Sequence, residues 1–360
     1  MNYCVLNGVK SNTVKGLLIQ ELPPISKPLM RTQVEQIDGR DGDIVTPLGY
    51  AAYDKKMRIG LYGAFNIDDV ISFFNSSGQV TFSNEPDKYY NYQILQQIDF
   101  NRLLRFREAD ITFHVQPFKY SAVDGVVSSK NILDATAIAI NSTGNQYVTL
   151  THGVGQLSIE VNASFTGGLF VGSIWVNGLE IGQTYTLSAT SADSGFATAY
   201  VYTDKLYGNE VASGTLTSGI TFTATTESVL IGFYAQNCTT GDSLTVQGIQ
   251  FEQGVKTPYV PYNSVYVFNS GNTVSKPNIT LSGSGTVNMS INGTQVLTVD
   301  LSGGDITINA AEMNAYQGFT LANRQVTGDY DNVILQTGAN TVSCDGNPII
   351  ITIGNYSRWL

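Results

Sequence analysis

Large aromatic side chains occupy unusual positions in the middle third of the chain, which is poor in charge. In the segment GSIWVNG, Trp175 alternates with the polar Ser173 and Asn177, while the apolar neighbours fall on the opposite face of a strand. Sugars present CH faces that stack on aromatic rings and hydroxyl groups that need neutral hydrogen-bond partners. A tryptophan on a polar face therefore indicates a saccharide-binding surface.

Two further segments repeat this pattern. In FATAYVYTD, Tyr200 and Tyr202 alternate with small residues, and if the small residues face the core, both tyrosines form an exposed platform. In VLIGFYAQN, Tyr234 and Gln236 oppose the apolar residues of their strand in the same sense. The residues predicted to bind carbohydrate are Trp175, Asn177, Tyr200, Tyr202, Tyr234 and Gln236.

An alternative interpretation treats these aromatic residues as packing residues. Trp175 is then half-buried at the edge of a sandwich, and the tyrosines pack with their hydroxyls in water. Tyr185 belongs to this second class, because it shares a strand face with Leu187 and Ala189. We predict that Tyr185 lies in the core.

Residues with catalytic potential are few. The chain has two histidines, and it lacks a GxSxG elbow, an HExxH pair and a phosphate-binding glycine loop. Glu160, Glu180 and Asp193 offer carboxylates for a glycosidase, but that mechanism needs two of them at a fixed separation. We predict a protein that is not an enzyme, with a wall-degrading hydrolase as an alternative.

Charge is distributed unevenly along the chain. Residues 1–130 contain 14 Lys and Arg and 14 Asp and Glu, residues 131–262 contain two bases and nine acids, and residues 263–360 contain three bases and six acids. A base-poor middle segment argues against binding to nucleic-acid phosphates or anionic membranes, and is compatible with neutral ligands. The N-terminus lacks the apolar core of a signal peptide, and no apolar run reaches the ~18 residues of a membrane span. We expect synthesis in the cytoplasm without membrane insertion.

The length and the strand patterns predict three modules. A chain of 360 residues exceeds the ~100–200 of one domain. Residues 1–130 read as strands with a long loop or an extended hairpin arm at 31–53 and one helix, which is capped by Asn66 and stopped by Gly78. Residues 131–262 contain at least seven short strands, typical of an all-β sandwich or jelly roll.

Residues 263–360 form the third predicted module, which is again rich in strands. A short helix is predicted there, capped at Asn309 with Glu312 at its N3 position and ending before Gly318. Part of 118–130 is predicted to belong to this module. In that case residues 131–262 are an insertion whose ends meet.

Four stretches of the first module resemble the distal tail proteins of siphophages that infect Gram-positive bacteria. They are LPPISKPLMRTQVEQIDGRDG, the helix with its following glycine, FSNEPDKYYNYQIL and FHVQPFKY. The third module resembles the galectin-like C-terminal sandwich of that family in SGSGTVNMSINGTQ, AEMNAY and the terminal SRWL. The middle module departs from the short form of the family and is similar to the carbohydrate-binding modules inserted in its "evolved" members.

The resemblance implies a mainly β fold with an N-terminal ring-forming domain, an inserted jelly roll and a galectin-like C-terminal β-sandwich. It implies a homo-hexameric ring at the virion tail tip that joins the tail tube protein to tail-tip or baseplate proteins. The insert would then bind host cell-wall polysaccharide during adsorption. An insert that contacts another baseplate protein is the main alternative.

A structural calcium ion is the one cofactor that the resemblance to jelly-roll sugar modules suggests. The oxygen-rich candidates are Asp134, Asp242 and Glu252, because Ca²⁺ is bound by carboxylate and carbonyl oxygens. The sequence does not show which of them converge.

Overall fold

Strands provide most of the regular structure in the computed structural model, which describes residues 2–74, 77–142, 144–345 and 349–360. The predicted mainly β fold class is confirmed. The buried apolar residues form three large clusters, one within residues 4–115, one within 133–251 and one within 265–353. Each of the three predicted modules therefore contains one core.

The first module is built on one long sheet. Its elements are β1 Cys4–Leu6, β2 Val9–Lys10, β3 Leu17–Glu21, β4 Met30–Gln36, β5 Asp43–Tyr50, β6 Tyr53–Leu61, α1 Ile67–Phe73, β7 Ser77–Phe82, β8 Lys88–Gln93, α2 Phe100–Phe106 and β9 Glu108–Ser121. The sheet has the order β2-β1-β7-β8-β9-β6-β3. Strands β4 and β5 pair with each other outside this sheet and form the predicted arm.

The helix after Asn66 begins as predicted but ends earlier. The Asn66 side chain accepts a hydrogen bond from the backbone N–H of Asp68 at 3.0 Å, and α1 then ends at Phe73. Gly78 does not stop this helix. It lies in β7 with a φ of 141°, where a Cβ atom would meet the side chain of Asn7. Residues 75 and 76 are outside the described residues.

The second helix of the first module, α2, was not predicted. Asp99 caps its start by accepting a hydrogen bond from the N–H of Arg102 at 2.9 Å, and Arg107 ends it in the left-handed conformation. A non-glycine residue at this C-cap gives no sequence signal for the end of a helix. The expectation of a single helix in this module is therefore wrong.

The insert contains three sheets around one core. Its strands are β11 Ala139–Ile140, β12 Val148–Gly153, β13 Gln156–Val161, β14 Phe165–Asn177, β15 Thr184–Ser188, β16 Ser191–Ala192, β17 Thr198–Tyr202, β18 Glu210–Thr215, β19 Ile220–Thr223, β20 Ser228–Cys238, β21 Ser243–Gln247 and β22 Gln250–Gln253. The sheet orders are β11-β14-β20-β17-β18, β12-β13-β21-β16 and β19-β15-β22. The strands preceding it include β10 Val127–Ser128, which belongs to the third module.

The two ends of the insert are tied together by one buried side chain. The Asn131 amide donates to the carbonyl oxygens of Ile249 and Val260, and its Oδ1 accepts from the N–H groups of Leu133 and Phe251, all at 3.1 Å. All four hydrogen-bonding positions of this amide are thus used. We call this arrangement the seam network.

The third module is a two-sheet sandwich. Its strands are β23 Ser264–Asn269, β24 Asn278–Ser282, β25 Thr286–Ile291, β26 Thr294–Asp300, β27 Ile306–Asn309, β28 Asn314–Gln317, β29 Thr320–Leu321, β30 Val326–Gly328, β31 Gly338–Cys344, β32 Ile350–Gly354 and β33 Arg358–Trp359. One sheet has the order β10-β32-β24-β27-β28-β29 and the other β23-β31-β25-β26-β30. Strand β33 leaves this sandwich and pairs with β9 of the first module.

The helix predicted after Asn309 is wrong. Asn309 Oδ1 accepts hydrogen bonds from the N–H groups of Ala311 and Glu312 at 3.1 Å, as a helix cap would. The chain then turns through Met313, whose φ is 55°, and β28 pairs back on β27. An asparagine that caps its own turn produces the same local pattern as a helix start. Ala315 of β28 is fully buried, and this burial favours the hairpin here.

Candidate functional site

The predicted carbohydrate-binding residues lie on one face of the five-stranded sheet of the insert. Leu230 of β20 is paired with Trp175 on one side and with Tyr202 on the other. Tyr234, further along β20, is paired with Phe170 of β14. These side chains point away from the main core of the insert, and three of them form a small cluster of their own.

Asn177 and Gln236 mark the two ends of this face. Asn177 is paired with Ser228 of β20, and Gln236 is itself a residue of β20. The distance between Asn177 and Gln236 along the sheet is therefore the length of β20 from position 228 to position 236. At ~3.4 Å per residue this is ~27 Å, too far for one sugar ring to contact both. The six residues therefore divide between a tyrosine pocket and a tryptophan cleft, with Gln236 beyond the tyrosines.

The tyrosine pocket is organised around Phe170, which is almost fully buried. Its ring makes edge-to-face contacts with Tyr200 at 5.3 Å, Tyr202 at 5.9 Å, Tyr207 at 4.8 Å and Tyr234 at 5.1 Å between centroids. The hollow that these rings line has a volume of about 280 Å³. Burial raises the pKa of Tyr200, Tyr202 and Tyr207 above its usual value, which already keeps a tyrosine hydroxyl protonated at neutral pH.

The prediction that Tyr202 forms an exposed platform is wrong. Its side chain points to the predicted face, but only 3% of it is exposed, because Phe170 and Leu230 pack against it. Tyr200 and Tyr234 are partly exposed, so the platform is narrower than predicted.

Two residues of the pocket, Phe170 and Tyr207, were missed by the sequence analysis. The pairing of β14 with β20 shifts by one residue between Phe170 and Gly172, so that Val171 faces the core and Phe170 faces outward. Glycines within a strand are the sequence signal for such a bulge. Tyr207 lies in the loop before β18 and is 67% exposed, and alternation within strands cannot detect it.

The tryptophan cleft lies at the end of β14 next to the third module. Trp175 is 46% exposed, so part of this residue is accessible to a ligand. Trp175, Asn177 and Asp134 line a cleft of about 620 Å³ together with Tyr262, Ser282 and Ile350. Clefts of this size are typical of small-molecule sites.

The calcium candidates do not fit a shared site. Asp134 Oδ1 accepts from the N–H and the hydroxyl of Thr136, and Asp242 Oδ2 accepts from the N–H of Thr239. Glu252 is buried in the seam. Among the residues that the structure describes, no three His, Cys, Asp or Glu side chains are grouped as a metal site would require.

The three carboxylates considered for hydrolysis lie on different elements of the insert. Asp193 precedes a short turn and its Oδ2 accepts from the N–H of Thr245 at 2.7 Å, which gives it a structural use. Glu160 lies in β13 of the four-stranded sheet, and Glu180 follows β14 in a different sheet.

Within the described part of the chain, no helix has the length and apolar character needed to cross a membrane.

Comparisons with known proteins give weak structural similarities. No protein-family model and no curated protein matches the chain. The chain is similar to the phage SPP1 Dit (gp 19.1) protein, presented as a paradigm of the hub adsorption apparatus in phages that infect Gram-positive bacteria, with 10% identity, complete coverage of both chains and a TM-score of 0.39. Two activated phage p2 baseplate structures, with Sr and with Ca, cover 72% of this chain and all of theirs at 10% and 11% identity, with TM-scores of 0.27 and 0.26. Scores this low define neither a family nor a function for this chain.

Proposed function

We propose that this protein is a structural hub of a siphophage tail tip, assembled as a hexameric ring between the tail tube and the tip or baseplate proteins. The inserted module attaches the ring to a host cell-wall polysaccharide. The motifs of the first and third modules support the hub, and the exposed apolar arm carries the proposal of assembly. The aromatic surface of the insert supports the saccharide ligand.

The arm exposes an apolar surface that a partner must cover. Strands β4 and β5 form a ribbon of two strands, and all β4 side chains are exposed. Val34 and Val45 are directly paired and are 52% and 55% exposed. A two-stranded ribbon is at best marginally stable in water, and contiguous exposed apolar residues mark interaction sites. A neighbouring copy that receives the arm gives a heterologous contact, which closes into a ring.

Assembly is tested by replacing this apolar pair without unpairing the ribbon. In the double variant Val34→Asp, Val45→Lys, opposite charges face each other across the strands, which keeps the pairing favourable. We expect light scattering after size-exclusion chromatography to show a hexamer for the parent protein and a monomer for the variant. Val154→Asp, at a valine in the turn after β12 that is 78% exposed, is the control. A variant that keeps the parent's mass would exclude the arm from assembly.

The insert is suited to a neutral polymer. Its two lysines leave it with few cations for anionic ligands, and the tyrosine pocket offers aromatic faces beside hydroxyl donors and the Glu210 carboxylate. Individual sugar contacts are weak, but several copies on one ring bind a repeating polymer by avidity. This combination suits reversible attachment to a cell surface.

The saccharide ligand is tested with the assembled full-length protein on purified walls from several Gram-positive strains. Tyr207→Ala should weaken binding by about three- to tenfold, because one aromatic contact is worth roughly 0.5–1.5 kcal/mol. Tyr266→Ala, a half-exposed tyrosine on β23, is the matched control. Absence of binding to any wall by an intact ring would favour contact with another baseplate protein, and released reducing ends would favour the hydrolase.

A further inference from the structure

We propose that the tryptophan cleft is a composite saccharide site, completed by the third module, that takes a neutral sugar ring stacked on Trp175. This inference rests on the proposed saccharide-binding function of the insert. It adds that the insert supplies only one wall of the site. The other wall comes from the sandwich into which the insert is placed.

The two walls come from distant parts of the sequence. On the insert side, Trp175 and Asn177 are at the end of β14, and Asp134 is in the segment that enters the insert. On the opposite side, Ser282 is the last residue of β24 and Ile350 is the first residue of β32. A ligand in this cleft therefore contacts both modules.

Both walls are held by buried asparagines, so the cleft is formed before a ligand arrives. The seam network fixes the insert side through Asn131. On the other side, Asn263 Oδ1 accepts from the N–H of Ile349 at 2.9 Å, and the Asn263 carbonyl accepts from the N–H of Cys344. Preformed walls reduce the entropy that binding would otherwise cost.

The lining chemistry selects a neutral sugar. Trp175 and Ile350 expose about half of their side chains and provide apolar surface for the CH face of a ring. Asn177, Ser282 and Tyr262 supply neutral donors and acceptors for its hydroxyls. Asp134 is the one ionisable carboxylate among the described lining residues and there is no cation, so an anionic sugar or a phosphate is disfavoured.

The edge of β14 adds main-chain groups to the site. Strand β11 pairs with Gly172 and Ser173, and no described strand continues this pairing beyond Ser173. No described strand pairs with Ile174–Asn177 on the side of β14 that faces away from β20, and these residues line the cleft. Backbone N–H and C=O groups at an unpaired strand edge are available for hydrogen bonds.

The two tryptophans of the chain allow a direct test. Trp359 lies in β33, on the first module, so Trp359→Phe leaves Trp175 as the single tryptophan of each chain, to be excited selectively over the tyrosines. This protein is titrated with neutral hexoses and N-acetylhexosamines as mono- to trisaccharides, and with glucuronic acid as the anionic probe. We expect a neutral sugar to shift the Trp175 emission at concentrations where glucuronic acid does not.

Variants of the opposite wall test the composite nature of the site. Ile350→Ala and Ser282→Ala should each raise the sugar concentration for half-maximal shift by about three- to tenfold, although neither residue is in the insert. Tyr266→Ala, on β23 of the same module but absent from the cleft, serves as control. A shift that both wall variants leave unchanged would overturn the composite site, as would parental wall binding with no change in Trp175 emission. Failure of the ring to bind any wall would instead overturn the proposed function itself.

Discussion

The first module and the insert each bury a carboxylate, and they satisfy it in different ways. Glu85 of the first module accepts from the Lys119 ammonium at 2.8 Å and from the Tyr90 hydroxyl at 2.5 Å. Glu252 of the insert, 1% exposed, accepts from the Gln250 amide at 2.6 Å and from the N–H and hydroxyl of Thr257 at 2.8 and 2.6 Å. One site uses a cation, whereas the other uses neutral groups.

This difference follows the composition of the two modules. The first module has as many bases as acids, so a buried acid can find a lysine. The insert has two lysines, and Lys256 donates to the carbonyl oxygens of Ala189 and Thr217. The insert is thus held by neutral hydrogen bonds inside and offers mostly neutral groups outside. The first module depends on ionic pairs and should respond to changes of charge.

The largest expected effect is the loss of the buried ion pair. Lys119→Met removes the ammonium bonded to Glu85, which leaves only the Lys55 charge nearby, and should reduce the free energy of unfolding by up to about 3–5 kcal/mol. Trp359 is paired with Lys119 across β33 and β9, so its fluorescence in a Trp175→Phe background reports urea unfolding of this module. Lys56→Met, which removes a surface pair with Asp110 at 3.0 Å, should cost at most about 1 kcal/mol. Equal losses in the two variants would contradict the comparison.

The pH dependence of the first module is the second largest effect. Burial lowers the pKa of Lys55 to about 8, opposed by Glu85 and reinforced by Lys119, from an ordinary value of 10.5. Between these two values the unfolded chain binds more protons than the folded one, so the free energy of unfolding should rise with pH, by up to about 3 kcal/mol.

Lys55→Met isolates this contribution, because the tyrosines nearby titrate in both proteins. The difference in the free energy of unfolding between parent and variant is measured by urea unfolding from pH 7 to pH 10.5. It should change across that window in favour of the parent. A difference that stays constant would show that Lys55 titrates normally.

The third effect concerns the seam network. Asn131→Ala leaves two N–H groups and two carbonyl oxygens without their partner and should cost about 1–3 kcal/mol, less than the ion pair because all groups are neutral. Trp175 emission in the Trp359→Phe background follows the unfolding of the insert. Asn209→Ala, which removes an exposed amide bonded to Asp204, is the control and should change little. A loss in the control as large as in the variant would exclude a special role for the seam.

Alternation along strands predicted side-chain direction where the pairing is regular. Tyr185 was predicted to be core, and it stacks on Phe251 at 5.6 Å between ring centroids. Trp175 was predicted to face outward, and it is exposed. The rule fails at the bulge after Phe170, because one extra residue reverses the faces. Alternation alone therefore could not place Phe170, the centre of the tyrosine pocket, on the outer face.

Local capping signals were weaker guides than alternation. Asn66 and Asn309 both accept hydrogen bonds from N–H groups just ahead in the chain, yet one begins a helix and the other a hairpin turn. The outcome depends on what the following residues pack against, which is a tertiary property. The cleft beside Trp175 was unpredictable for the same reason, because Ser282 and Ile350 are distant in sequence.

The smallest expected effect is the response of wall binding to salt. It tests directly whether neutral groups of the insert or charged groups of the first module contact the wall. If neutral groups of the insert make the contact, raising sodium chloride from about 0.05 to about 0.5 M should change wall binding by less than about twofold, because screening acts on charged contacts. The measurement uses the full-length protein on purified walls, with free polysaccharide as competitor. A tenfold loss of binding with salt would indicate that charged groups of the first module make the contact instead. The aromatic face of the insert would then need a different partner.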